Sequence, residues 1–174
     1  MKQLLNLKPV LLAVSIAISA PVASAQAQTT PDAIAGMNES PMHDAARMGS
    51  RQDVESLLKA SPQNRDARTP LGASPLHYAA MNGDSGALKA LIAAGANPNA
   101  RDTDGRTALH MAAFSTRKDN AMLLLQAGAD PLLKTNDGRD VLSMARKVRA
   151  DEIAGEISLW ILKGCKPGKA VKGC

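Results

Sequence analysis

Apolar residues recur along this chain at helical spacing. Leu88, Leu91 and Ile92 stand at i, i+3 and i+4 within residues 87–94, and Ala121, Leu124 and Leu125 repeat the pattern. Each segment is therefore predicted to form a helix with one buried face. Ile153, Ile157, Trp160 and Ile161 make a similar seam in 151–162 (DEIAGEISLWIL). That predicts a last helix in which Trp160 plugs the end of the fold rather than lining a ligand site. Polar punctuation fits the same elements. Ser74 and Thr107 can cap helix starts with a hydroxyl acceptor, and Pro75 suits a first helical position, where its missing N–H costs nothing. Gly95 and Gly128 predict left-handed helix ends, and Asp104-Gly105 and Asp137-Gly138 predict tight turns.

The punctuation recurs because the sequence does. SPLHYAA at 74–80 returns as TALHMAA at 107–113, 33 residues later, and appears earlier as SPMHDAA at 40–46. A worn copy, DVLSMAR, stands at 140–146. LIAAGANPNA (91–100) aligns with LLQAGADPLL (124–133), whereas the first copy, LLKASPQNRD (57–66), lacks the glycine and carries one extra residue. These motifs resemble the ankyrin repeat through Asp102, Gly105, Thr107, Leu109, His110, Ala112, Ala113, Leu124, Leu125, Gly128, Ala129 and Asp130. The resemblance runs over about 40–162 and implies an all-α solenoid of four stacked helix-turn-helix repeats, its degenerate outer copies acting as caps. We place this domain at 39–162.

His43, His77 and His110 fall at one position of the motif. A histidine among alanines could ligate a metal or haem, or form buried hydrogen bonds. The resemblance implies the second role, with each ring bonded to the motif hydroxyl and neighbouring backbone. Geometry agrees. Stacked helices lie about 8–10 Å apart, whereas Zn²⁺ holds its nitrogen ligands at about 2.0–2.1 Å, so histidines one repeat apart cannot share an ion. No metal or cofactor is expected.

The resemblance also implies a concave face, built from turn tips and the open side of each first helix, that contacts partners. Its candidate positions are Arg47 and Met48; Leu71, Ala73, Met81 and Asn82; Thr103, Asp104, Arg106, Phe114 and Ser115; and Asn136, Asp137, Arg139, Lys147 and Val148. The only Phe of the chain is among them. Phe114 with Met81, flanked by Arg106 and Arg139, has the make-up of a binding hot spot: aromatic anchor, soft neighbour, cationic rim. The plainer alternative has Phe114 covering a groove left by Thr116, which stands where the repeat usually has glycine. Tyr78 and Met111 are expected to pack.

The termini add a compartment. Lys2 and Lys8 precede Val10–Ala20 (VLLAVSIAISA), an uncharged run of 11 residues that is too short to span a bilayer. Ala23-Ser24-Ala25 follows as a small-x-small site, so 1–25 is expected to be a bacterial secretory signal cleaved after Ala25, with Ala27 as a second possible site. Residues 26–38 would be a flexible lead-in. Loss of Lys2 and Lys8 leaves 19 basic and 16 acidic residues, a net charge of +3, which is not the footprint of a nucleic-acid binder. In the tail, 163–174, Cys165 and Cys174 are the only cysteines. An oxidising compartment would pair them, and so short a loop would contribute about 2–3 kcal/mol. Lys163, Lys166, Lys169 and Lys172 make this tail basic.

No catalytic triad, thiol–imidazole pair, carboxylate pair or phosphate loop stands out. The reading is a monomeric, non-catalytic periplasmic module that binds a protein partner as an adaptor or stabiliser. Two rivals remain: an immunity protein that neutralises a toxin, and a haem- or catalase-linked oxidative-stress accessory. The second is a role associated with some small bacterial ankyrin-like proteins, and its ligand would have to be an exposed Met48 or Met81.

Overall fold

The computed structural model describes residues 39–165. The expected signal (1–25), the lead-in (26–38) and Cys174 lie outside the described residues. Eight α-helices pack in pairs along the described chain. They are α1 (Pro41–Met48) with α2 (Arg51–Ala60), α3 (Pro75–Met81) with α4 (Gly86–Ala93), α5 (Ala108–Phe114) with α6 (Lys118–Gln126), and α7 (Val141–Lys147) with α8 (Asp151–Leu162). A 3₁₀ turn, Pro62–Asp66, occupies the stretch where the first copy carries its extra residue. The first helices stack in the order α1, α3, α5, α7, while α2 packs on α4 and α6 on α8.

Each helix end follows from local chemistry. Ser40, Ser74 and Thr107 cap α1, α3 and α5 in extended backbone conformation, and Pro41 and Pro75 open the first turns of α1 and α3. Asp140 caps α7, accepting a bond from Ser143 N at 2.7 Å. Gly95 (φ 82°), Gly128 (φ 105°) and Gly164 (φ 65°) turn left-handed after α4, α6 and α8, a conformation in which any Cβ is strained. The following amide then returns to the helix: Ala96 N to Leu91 O (3.0 Å), Ala129 N to Leu124 O (2.8 Å) and Cys165 N to Trp160 O (3.2 Å). The fourth pair thus closes like the second and third, with Lys163-Gly164-Cys165 in the place of Ala127-Gly128-Ala129.

The core is built mainly from alanine and leucine. Ala79, Ala80, Ala112 and Ala113 are fully buried between stacked first helices, where small side chains permit close approach. Leu76, Leu88, Leu91, Leu109, Leu124 and Leu125 fill the space behind them, each stabilising the stack by about 1.5–3 kcal/mol. At the far end Ile153, Ile157 and Trp160 are buried, so Trp160 is core. Asn120 of α6 is the one buried amide side chain there. Its Nδ2 donates towards Ala79 O (3.3 Å), Ala80 O (3.1 Å) and Asn82 O (2.9 Å). It thereby supplies a donor to the Ala80 and Asn82 carbonyls at the end of α3, where Ala79 O also accepts from Asn82 N.

The loops between pairs project as tips. Each is closed by a backbone bond: Thr69 N to Ala73 O (3.0 Å), Asp102 N to Arg106 O (2.9 Å) and Thr135 N to Arg139 O (2.9 Å). Neighbouring tips are joined by further main-chain bonds, Thr103 N to Leu71 O (3.0 Å) and Asn136 N to Asp104 O (2.8 Å). At Gly105 a Cβ would collide with the side chain and amide nitrogen of Asn136, so the ladder requires glycine at that point.

Candidate functional site

The motif histidines are held inside the stack. In all three copies the imidazole Nδ1 accepts from the capping residue's own N–H: Ser40 to His43 (3.0 Å), Ser74 to His77 (3.1 Å) and Thr107 to His110 (3.2 Å). The cap hydroxyl lies 2.9 Å from the same nitrogen in each. Ser74 and Thr107, expected as simple caps, form capping boxes whose third-position partner is His. An Nδ1 that accepts a backbone N–H carries no proton, so the proton sits on Nε2. From there His43 donates towards Ala67 O (3.1 Å) and Ala73 O (3.3 Å), and His77 donates to Arg106 O (3.1 Å), reaching into the next tip. His110 Nε2 has no hydrogen-bond partner. It faces the Arg139 carbonyl closely enough to feel it, but the geometry falls short of a bond. Burial is the main cause that lowers the His77 and His110 pKa values below the usual imidazole range.

On the concave face, tips and first helices of the third and fourth repeats enclose a cleft of about 430 Å³. Seven of the predicted partner-binding residues line it: Asp104, Arg106, Phe114, Asn136, Asp137, Arg139 and Lys147. Phe114 is 52 % exposed. Its companions differ from the expected one. Met111 and Met144 line the cleft with it, and Met81 does not: the cleft lies between the third and fourth repeats, and Met81 ends α3 in the second. The sequence carried a signal for the two methionines: they occupy one register position, LHM in the third copy and LSM in the fourth. Thr135 completes the wall.

The cationic rim is also different from the expected one. Arg106 Nε meets Asp102 at 2.8 Å and its Nη2 meets Asp104 at 2.8 Å, while Arg139 Nη1 meets Asp137 at 3.1 Å. Asp137 is in turn bonded by the Thr135 hydroxyl, the main cause holding its carboxyl below the usual carboxylate range. Both arginines are therefore oriented and locally neutralised. Lys147 has no ion-pair partner among the described residues.

The other predicted positions lie outside this cleft. Arg47 is engaged within the first repeats: it pairs with Glu39 (2.8 Å) and Asp44 (2.5 Å) and lies 5.3 Å over the Tyr78 ring. Tyr78 donates its hydroxyl to Glu39 at 2.7 Å and packs edge-on against His43. Burial and Glu39 push the Tyr78 hydroxyl up to about 12, so it stays a donor. Met48 and Leu71 are the more open positions, 80 % and 63 % exposed. Asn82 Nδ2 donates to Ala46 O at 3.3 Å. Ser115 is the half-buried end of α5. Cys165 is buried behind Gly164. Its expected partner, Cys174, lies outside the described residues. Among the described residues no group of three or more His, Cys, Asp or Glu is placed to hold a metal ion, and no helix is long and apolar enough to cross a membrane.

A stack of helix pairs with joined tips and a side-chain-lined concave cleft defines a repeat scaffold for contact with other proteins. Residues 42–135 match the family described as Ankyrin repeats (3 copies). The chain belongs to the ankyrin repeat family, whose members are interaction modules and usually non-catalytic. No curated protein matches it. The fourth helix pair lies wholly beyond the matched span, in keeping with the Ser143 that replaces the motif histidine there.

Proposed function

We propose that this protein is an exported, non-catalytic binding module that holds one protein partner in the cleft between its third and fourth repeats. The observation that carries the reading is the half-exposed Phe114 lining one cleft with Met111 and Met144 and with the oriented Arg106–Asp104 and Arg139–Asp137 pairs. A large aromatic left in water beside soft thioethers contributes to affinity when a partner covers it. Export to the periplasm is supported by the leader pattern of 1–25, and a Cys165–Cys174 disulfide in the tail would follow from that compartment.

The test is a pull-down from a periplasmic extract with wild type and Phe114→Ala as paired baits, both shown folded by circular dichroism. A protein retained by wild type and lost from Phe114→Ala is the expected result. Equal retention by both baits would remove the cleft from the interface. Fractionation of the expressing cells tests the compartment, and a cytoplasmic, full-length product would refute export.

A further inference from the structure

The chemistry of the partner follows from how charge is distributed around the cleft. Resting on the cleft as the binding site, we propose that it receives a protein segment in which a large apolar side chain is followed by acidic residues. The apolar part is set by Met111, Met144 and Phe114, a floor that adapts to shape. The charge part is set by what is already neutralised. Arg106 is held by Asp102 and Asp104, and Arg139 by Asp137. An incoming cation would therefore find carboxylates already paired, and an incoming anion gains little from the two arginines.

The fourth repeat differs. Residues 132–149 hold five basic groups (Lys134, Arg139, Arg146, Lys147, Arg149) and two acidic ones (Asp137, Asp140), an excess of three positive charges. Asp140 is spent on the Ser143 amide. Of the acids of α8, Glu152 and Glu156 are paired with Lys118 at 2.5 and 3.4 Å, so only Asp151 is left to offset one of the three charges. Lys147 closes the α7 end of the cleft with Arg146 and Arg149 beside it, all exposed. A segment seated on the methionines and running towards α7 thus meets uncompensated positive charge, which favours carboxylates and speeds encounter. A nucleic acid fits less well, because Phe114 is the one aromatic lining the cleft and offers a single base a stacking surface.

The experiment selects binders from a displayed library of random short peptides on the folded full chain. The winners are then measured by fluorescence polarisation on wild type, Phe114→Ala and Lys147→Glu. The expected winners carry an aromatic or long aliphatic residue followed by Asp or Glu. Both substitutions weaken them about tenfold or more, and added salt weakens them further. Winners that lack acids and ignore Lys147→Glu, yet need Phe114, would overturn this partner chemistry while leaving the cleft as the site. Winners indifferent to both substitutions, or no winners, would overturn the two together. An oligonucleotide that binds wild type and is lost on Lys147→Glu would replace the protein segment as occupant.

Discussion

His77 is bound at both ring nitrogens and His110 at one, and this difference has a measurable consequence. His77→Ala strands the Ser74 amide and removes one of the two bonds to the Arg106 carbonyl, which keeps the Asp102 amide, so it should cost about 1–3 kcal/mol. His110→Ala strands the Thr107 amide alone and should cost less. Urea midpoints should fall in the order wild type, His110→Ala, His77→Ala, and the reverse order would show that the tip contact contributes nothing. Protonation acts on the same rings. Both pKa values are lowered in the folded state, so the unfolded chain takes up protons first as pH falls below about 6.5. The stabilisation is complete above that value and is lost as pH drops towards the folded pKa values, with a limiting slope of about 1.4 kcal/mol per pH unit for each ring. Melts at pH 7.5 and pH 5.5 should show the loss in wild type and a smaller one in His77→Gln/His110→Gln. An unchanged difference would assign it to other groups.

At the scale of elements, the turns between paired helices carry strain. Thr116 and Arg149 adopt φ of 56° and 57° between α5 and α6 and between α7 and α8, a region costly for any residue with a Cβ and most for a β-branched one. Thr116→Gly should therefore stabilise the fold by about 0.5–1 kcal/mol after its entropic cost, and Arg149→Gly somewhat less. A drop in midpoint would mean that the two side chains contribute more than their backbones lose. Most elements were legible in the sequence because a period of 33 residues repeats cap, alanine pair, leucine face and terminal glycine in register. The close of the fourth pair was not, since Cys165 stands where the other copies have Ala96 and Ala129, and a cysteine near the end of a chain points to cross-linking before packing. In the cleft, the charged tips and Phe114 were legible from the repeat. The pairing of Phe114 with Met111 and Met144 was not, because register assigns those two positions to packing, and only the lateral offset of one repeat on the next brings them to the cleft wall.

Across the whole molecule, each repeat is buried only by its neighbours, so stability is shared along the stack and the ends matter. Trp160 covers the final pair, and Trp160→Ala should cost about 3–5 kcal/mol. It should also loosen α7 and α8 first, visible as faster amide exchange there than in α3. Uniform exchange along the chain would refute a graded stack. The ladder of tips has a different consequence. Its rungs between Leu71 and Thr103 and between Asp104 and Asn136 include main-chain N–H and C=O groups, which every amino acid except proline supplies. Exposed tip side chains that take no part in the ladder are consequently free to vary under selection, while Thr103, Gly105 and Asn136 hold the spacing. A new partner could be acquired by rewriting a few exposed letters, with the architecture beneath them left as it was.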